Sequence, residues 1–175
     1  MKAFAYLVRR FFAFGADWYI SAILINLLTN GLSKLLLFKD GIYVAIIISS
    51  LVVAYIYFVL VPTKIWQGQT LMKRAMYLQV VNEDDSLVRR KELFLRYFVG
   101  CMTCEGVFYI PSSNVRSALL IMFPNLQIGL QVLNFAMIAG GCVSILIAML
   151  DKKREFRMLH DRLFHTKVTN LEKIS

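Results

Sequence analysis

The chain has 175 residues, of which 58% are hydrophobic and 18% charged, with a formal charge of +9. Soluble domains carry closer to about 25% charged residues, and four long apolar segments place this chain in the membrane class. The basic residues are segregated rather than spread: three Lys or Arg precede Phe11, six lie in 63–92 and seven in 151–175. That is the positive-inside pattern of a multi-pass protein with both termini in the cytoplasm, and it accounts for the charge without nucleic acid. The expected architecture is an all-α membrane protein. A single domain over 1–175 holds about four transmembrane helices, at 11–28, 41–61, 92–110 and 126–150, with a small cytoplasmic β element.

Met1 to Val8 reads as a short lead-in, with no signal-peptide cleavage site following the first apolar run. The first helix runs from Phe11 to Leu28, where Thr29-Asn30-Gly31 supplies a stop signal. Eighteen residues at about 1.5 Å each suffice to cross most of a bilayer core about 30 Å thick. Asp17 lies inside this segment, and a carboxylate there costs about 3 kcal/mol on insertion scales. Such a residue is either an ion- or proton-binding site or a structural acceptor that fixes helix order. Arg10 precedes it by seven positions, so the two share a face about 10.5 Å apart along the axis. That separation makes a neighbouring helix or the C-terminal segment the better partner for Asp17.

Residues 31–40 form an outer connection, and the second helix, Gly41 to Val61, carries no charge and ends at Pro62. Tyr55, Tyr57 and Trp66 suit the inner interface as aromatic anchors. The cytoplasmic connection 63–91 contains G-Q-T-L-M-K-R from Gly68, a strand-like stretch over Tyr77–Asn82 and a turn at Asn82-Glu-Asp-Asp-Ser. The strand is expected to pair with Thr166–Asn170. The third helix, Glu92 to Ile110, holds Arg96 and Glu105 on opposite faces and ends at Pro111. Arg96 either snorkels to phosphate or pairs with Asp17. Residues 112–125 read as an outer loop, interfacial or re-entrant. In the fourth helix Gln127, Gln131 and Asn134 form one polar stripe at the depth of Glu105, either as packing glue or as an outer ion-binding vestibule.

The tail 151–175 begins with the basic run Lys152, Lys153, Arg154 and Arg157, suited to an anionic inner leaflet. His160, Asp161 and His165 make a poor metal set, since the two rings stand about 140° apart on a helix. Cys101, Cys104 and Cys142 read as small packing residues within membrane segments. No internal repeat is visible. No catalytic motif and no cofactor or metal site is expected, so the chain is not read as an enzyme.

Three ordered blocks, R-R-F-F-A-F-G-A-D, G-Q-T-L-M-K-R-A-M-Y-L-Q-V-V-N and L-H-D-R-L-F-H-T-K-V, resemble the RDD family, named for one Arg and two Asp. The resemblance makes Arg10 the signature Arg and Asp17 and Asp161 the two acids, with Arg96 at a further family position. Gly68, Thr70 and Lys73 match its G-x-T-x-G-K block, with Met72 in place of the second Gly, and His160 and Thr166 belong to the last block. Membership implies a multi-pass protein of the bacterial plasma membrane. The function expected from these residues is movement of a small cation, of the cation/proton exchange type, or another small solute. Asp17 is then the exchangeable site, controlled by Arg10, Asp161 and Arg96. The alternative is a non-transporting adaptor or assembly factor in which the same residues are structural. The expected partners are the bilayer, its anionic inner-leaflet lipids, a small ion or solute and a second copy in a homo-oligomer.

Overall fold

The computed structural model describes residues 2–102, 109–150 and 157–171. Helix α1 spans Lys2–Ser33, well beyond the expected 11–28 at both ends. Gly31 does not stop it: glycine costs an interior helical position only about 1 kcal/mol, and the apolar packing of the helix outweighs that. The chain leaves α1 through bonds from the Leu35 and Leu36 amides to the Leu32 carbonyl.

Helix α2, Gly41–Val53, packs antiparallel along α1 and continues without a break into twelve π-helical residues, Ala54–Ile65. Gly41 is needed at its start because a Cβ there would stand 2.1 Å from the Leu36 carbonyl oxygen. Pro62 does not end the segment. Its ring would press on the carbonyl four residues back in a regular α-helix, and the wider π winding carries the chain past it. The Trp66 amide then reaches Val61, five residues back, at 2.8 Å. Long π-helices are rare, and this one turns Tyr57, Phe58 and Thr63 inward.

A short helix α3 (Leu71–Ala75) and strand β1 (Leu78–Asn82) follow. Helices α4 (Arg90–Met102) and α5 (Tyr109–Met122) occupy the region expected to hold the third span and the outer loop. Pro111 thus lies within a helical stretch instead of closing one. Residues 112–122 are helical. Helix α6 (Gln127–Met149) is followed by α7 (Leu159–Leu163) and β2 (Thr166–Asn170). Among the described residues, three helices are long and apolar enough to cross a membrane: Val8–Ser33, Gly41–Ile65 and Pro124–Met149. Side chains such as Phe11, Leu27, Phe135 and Leu150 point outward around the bundle, as lipid-facing positions do.

The expected strand pairing is present. β1 and β2 are antiparallel, with Leu78 opposite Asn170, Val80 opposite Val168 and Asn82 opposite Thr166. A repeat that the sequence hides is centred on this pair. One constant offset carries α3 onto α7 and β1 onto β2. It also carries Gly41 onto Gly129, two residues into α6. The caps before the short helices agree, with Thr70 at φ −82°, ψ 173° and Met158 at φ −81°, ψ 171°. The residues before the strands agree too, Tyr77 at φ 56° and His165 at φ 49°. The offset maps Val80 onto its own partner Val168, so a pseudo-twofold axis passes through that pair. The two short helix–strand corners, 70–82 and 158–170, together form a head at one end of the bundle. Only four identities, Leu71/Leu159, Arg74/Arg162, Val80/Val168 and Asn82/Asn170, mark the relation between the corners in sequence.

A buried two-carboxylate clasp

Asp17 and Asp161 are both fully buried, and each stands at the N-terminus of one of the short helices. The first helical amides lack partners within their own helix, and a carboxylate there gains from both the hydrogen bonds and the local positive potential. Asp161 supplies this from within its own helix, accepting from the Met158 amide at 3.2 Å. Helix α3 has Lys73 at the equivalent position, and its acid comes instead from α1.

Around Asp17, the Met72 amide donates to Oδ1 at 3.1 Å and the Tyr57 hydroxyl donates to the same oxygen at 2.7 Å. The Thr70 hydroxyl donates to Oδ2. Thr70 also caps α3 by accepting from the Lys73 amide at 3.4 Å. Gly68 positions this corner: it has φ +78°, and a Cβ would lie 2.5 Å from the Val80 carbonyl oxygen. Its own carbonyl accepts from the Val80 amide at 3.0 Å, tying the turn to β1. Met72, where the family block has glycine, contributes its amide to Asp17 and packs its side chain on the core.

Around Asp161, Arg10 donates from Nη2 to Oδ2 at 2.7 Å. Arg96 donates to Oδ1 from Nε at 3.0 Å and also from Nη2. Thr166 accepts from Arg96 Nε at 3.2 Å and donates to the Asp161 carbonyl at 3.4 Å. His160 Nε2 lies 3.5 Å from Oδ1. Burial by itself pushes the Asp161 carboxyl up, but the Arg96 and Arg10 guanidinia outweigh it and hold it well below the usual carboxylate range.

These contacts revise several expectations. Arg10 meets Asp161, and of the two partners expected for Asp17 the neighbouring helix supplies one through Tyr57, while the first corner, and among the described residues not the tail, supplies the rest. Arg96 neither snorkels nor pairs with Asp17; it is 2% exposed and bound to Asp161. Tyr57 is a buried donor instead of an interface anchor, while Tyr55 is exposed and Trp66 lies under Arg74 at 4.8 Å. In the outer stripe Gln127 and Gln131 are exposed, and Asn134 accepts from Arg116 Nη2 at 3.2 Å. Arg116 was not singled out in the sequence, and its own bond to Ser112 at 3.1 Å is a helix-spacing contact that only the helical α5 creates. Glu105 and Cys104 fall outside the described residues, as does the Cys101 side chain, and Cys142 is exposed on α6 instead of packed.

Compared with known protein families, residues 4–165 match the model described as the RDD family. No curated protein and no solved structure matches the chain.

Proposed function

The chain belongs to the RDD family of membrane proteins, and from that premise we propose that it is a non-transporting membrane adaptor or assembly factor. Its buried Arg and Asp residues are structural, and its head is the working surface on the cytoplasmic side. One observation carries this reading: α1 grips both corners of the head, one through Asp17 and the other through Arg10. Seven residues of separation put the two side chains on one face, and each reaches a different corner instead of its neighbour. Both acids are fully buried, and a passing ion would have to displace the three donors on Asp17 or the two guanidinia on Asp161. The basic residues around the head favour anionic inner-leaflet lipids of a bacterial plasma membrane, and the outward apolar side chains of α6 suit lipid or a second copy in a homo-oligomer.

Transport of a small cation or other solute is the second reading, favoured by a specific feature of Asp17. Its donors among the described residues are two hydroxyls and an amide, whereas Asp161 is held by two guanidinia. Ion flux in proteoliposomes separates the two readings. The adaptor reading expects no flux above empty vesicles from the purified protein and lowered folded yield from Asp17→Asn. Flux from the parent protein that Asp17→Asn abolishes, at equal folded yield, overturns it in favour of transport.

A further inference from the structure

A second polar site lies away from the clasp, where α5 meets α6. The Arg116 side chain runs back toward the N-terminus of α5, and its Nη1 donates to the Ser112 hydroxyl at 3.1 Å. The same nitrogen reaches Met137 Sδ at 3.2 Å, and Nη2 donates to Asn134 Oδ1 at 3.2 Å. Met137 stands at the middle of the Pro124–Met149 span, so the guanidinium is held at mid-depth and is not drawn out toward the Met122 end of its own helix. Arginine keeps its charge wherever it is placed. A charge at that depth is costly and calls for a partner, and such residues mark substrate and ion sites. Among the described residues none of the partners of Arg116 is an acid: they are a hydroxyl, a thioether and an amide. In the clasp, by contrast, both guanidinia end on Asp161.

Three of a guanidinium's five N–H donors are engaged by these contacts. The two left are the Nε hydrogen and one on Nη2, a pair suited to the two oxygens of a carboxylate. Gln131 and Gln127 lie about one and two turns before Asn134 on the same face of α6, and both are exposed. With Asn134 they make a line of amides from the start of α6 to Arg116. Helix α6 runs toward the head, where Ser144 accepts from the Leu159 amide at 3.0 Å, so Gln127 marks the opposite end.

We propose that Arg116, with Asn134 and Gln131 beside it, is a binding site for a small carboxylate anion entering from the end of the bundle opposite the head. The open guanidinium edge takes the two oxygens. Asn134 keeps Arg116 aimed by accepting from Nη2, and the amide groups along α6 stand in for water as the anion passes. Lipid phosphate lies at the ends of a span, about 15 Å from its middle, which favours a small solute as the occupant. The site shares no residue with the clasp, so it stands or falls separately from the proposed role of the head.

The test titrates sodium acetate into the full-length protein and follows saturation transfer to the acetate methyl by NMR. It is run in maltoside micelles, which carry no phosphate, and in phosphatidylcholine nanodiscs. A saturable signal is expected in both, with binding at least about tenfold weaker in Arg116→Gln, which removes a charge-assisted hydrogen-bonded pair. Asn134→Asp gives Arg116 an acid from the chain itself at the place where Nη2 already points. That variant is expected to lose acetate binding while folded yield is kept or raised, and it decides the matter should Arg116→Gln fail to fold. Acetate binding in Asn134→Asp equal to that of the parent, or no saturable signal from the parent, overturns the proposal. Binding present in micelles but absent in nanodiscs assigns the guanidinium to a lipid phosphate and overturns it as well.

Discussion

The two corners of the head follow the same backbone path, yet one carries Lys73 where the other carries Asp161. Both short helices end up with a carboxylate at their N-termini, which is what the orphan amides require. The acids come from different places, and that decides what each corner binds. Asp161 is local, so its remaining valence is free to gather Arg10 from α1 and Arg96 from α4. Asp17 is imported from the membrane helix, so capping α3 and fastening it to α1 are a single act. The two corners share a backbone path but differ in which element supplies the acid, with α1 as the shared strut.

The comparison predicts a ranking of effects. Asp161→Asn is the most damaging change, since it leaves two guanidinia without their counter-charge; the loss is about 3–5 kcal/mol, read as lost monodisperse protein in detergent. Parent stability also falls as pH drops below about 4. The folded Asp161 pKa is depressed, so its contribution is present above the unfolded value and is lost as pH falls towards the folded one. Asp17→Asn costs less, about 1–3 kcal/mol, because its partners are neutral and the amide retains one acceptor. A larger loss from Asp17→Asn than from Asp161→Asn, measured by thermal unfolding, breaks the comparison. Gly68→Ala costs about 1–3 kcal/mol through its positive φ and the close Val80 carbonyl. Its effect is expected to mimic that of Asp17→Asn by displacing the first corner alone. Glu83→Gln is expected to change stability by no more than about 0.5 kcal/mol, because its partner Arg157 meets it at a solvent-exposed carboxylate.

Much of this was legible in the sequence. Apolar length located the three long apolar helices, and strand composition with its turn located the strand pairing, because each depends on local pattern; the stop signals at Gly31 and Pro62 did not end their helices. The motif residues Arg10, Asp17, Thr70 and Asp161 were legible as special, but their partners were not. Pairing between Arg10 and Asp161 spans 151 positions, and no spacing rule reaches that far. Tyr57 was read as an interface aromatic because its inward direction depends on π winding past Pro62, which periodicity at 3.6 residues cannot anticipate. The repeat escaped because only four identities survive between the corners, while agreement at Tyr77 and His165 lies in dihedral angles, not residue types.

The strut role of α1 is tested most directly by a double-mutant cycle on Arg10→Met and Asp161→Asn, with unfolding free energies measured in one detergent. Residues in direct charged contact couple, and a coupling of about 1–3 kcal/mol is predicted. Additive losses, with coupling near zero, would contradict the clasp.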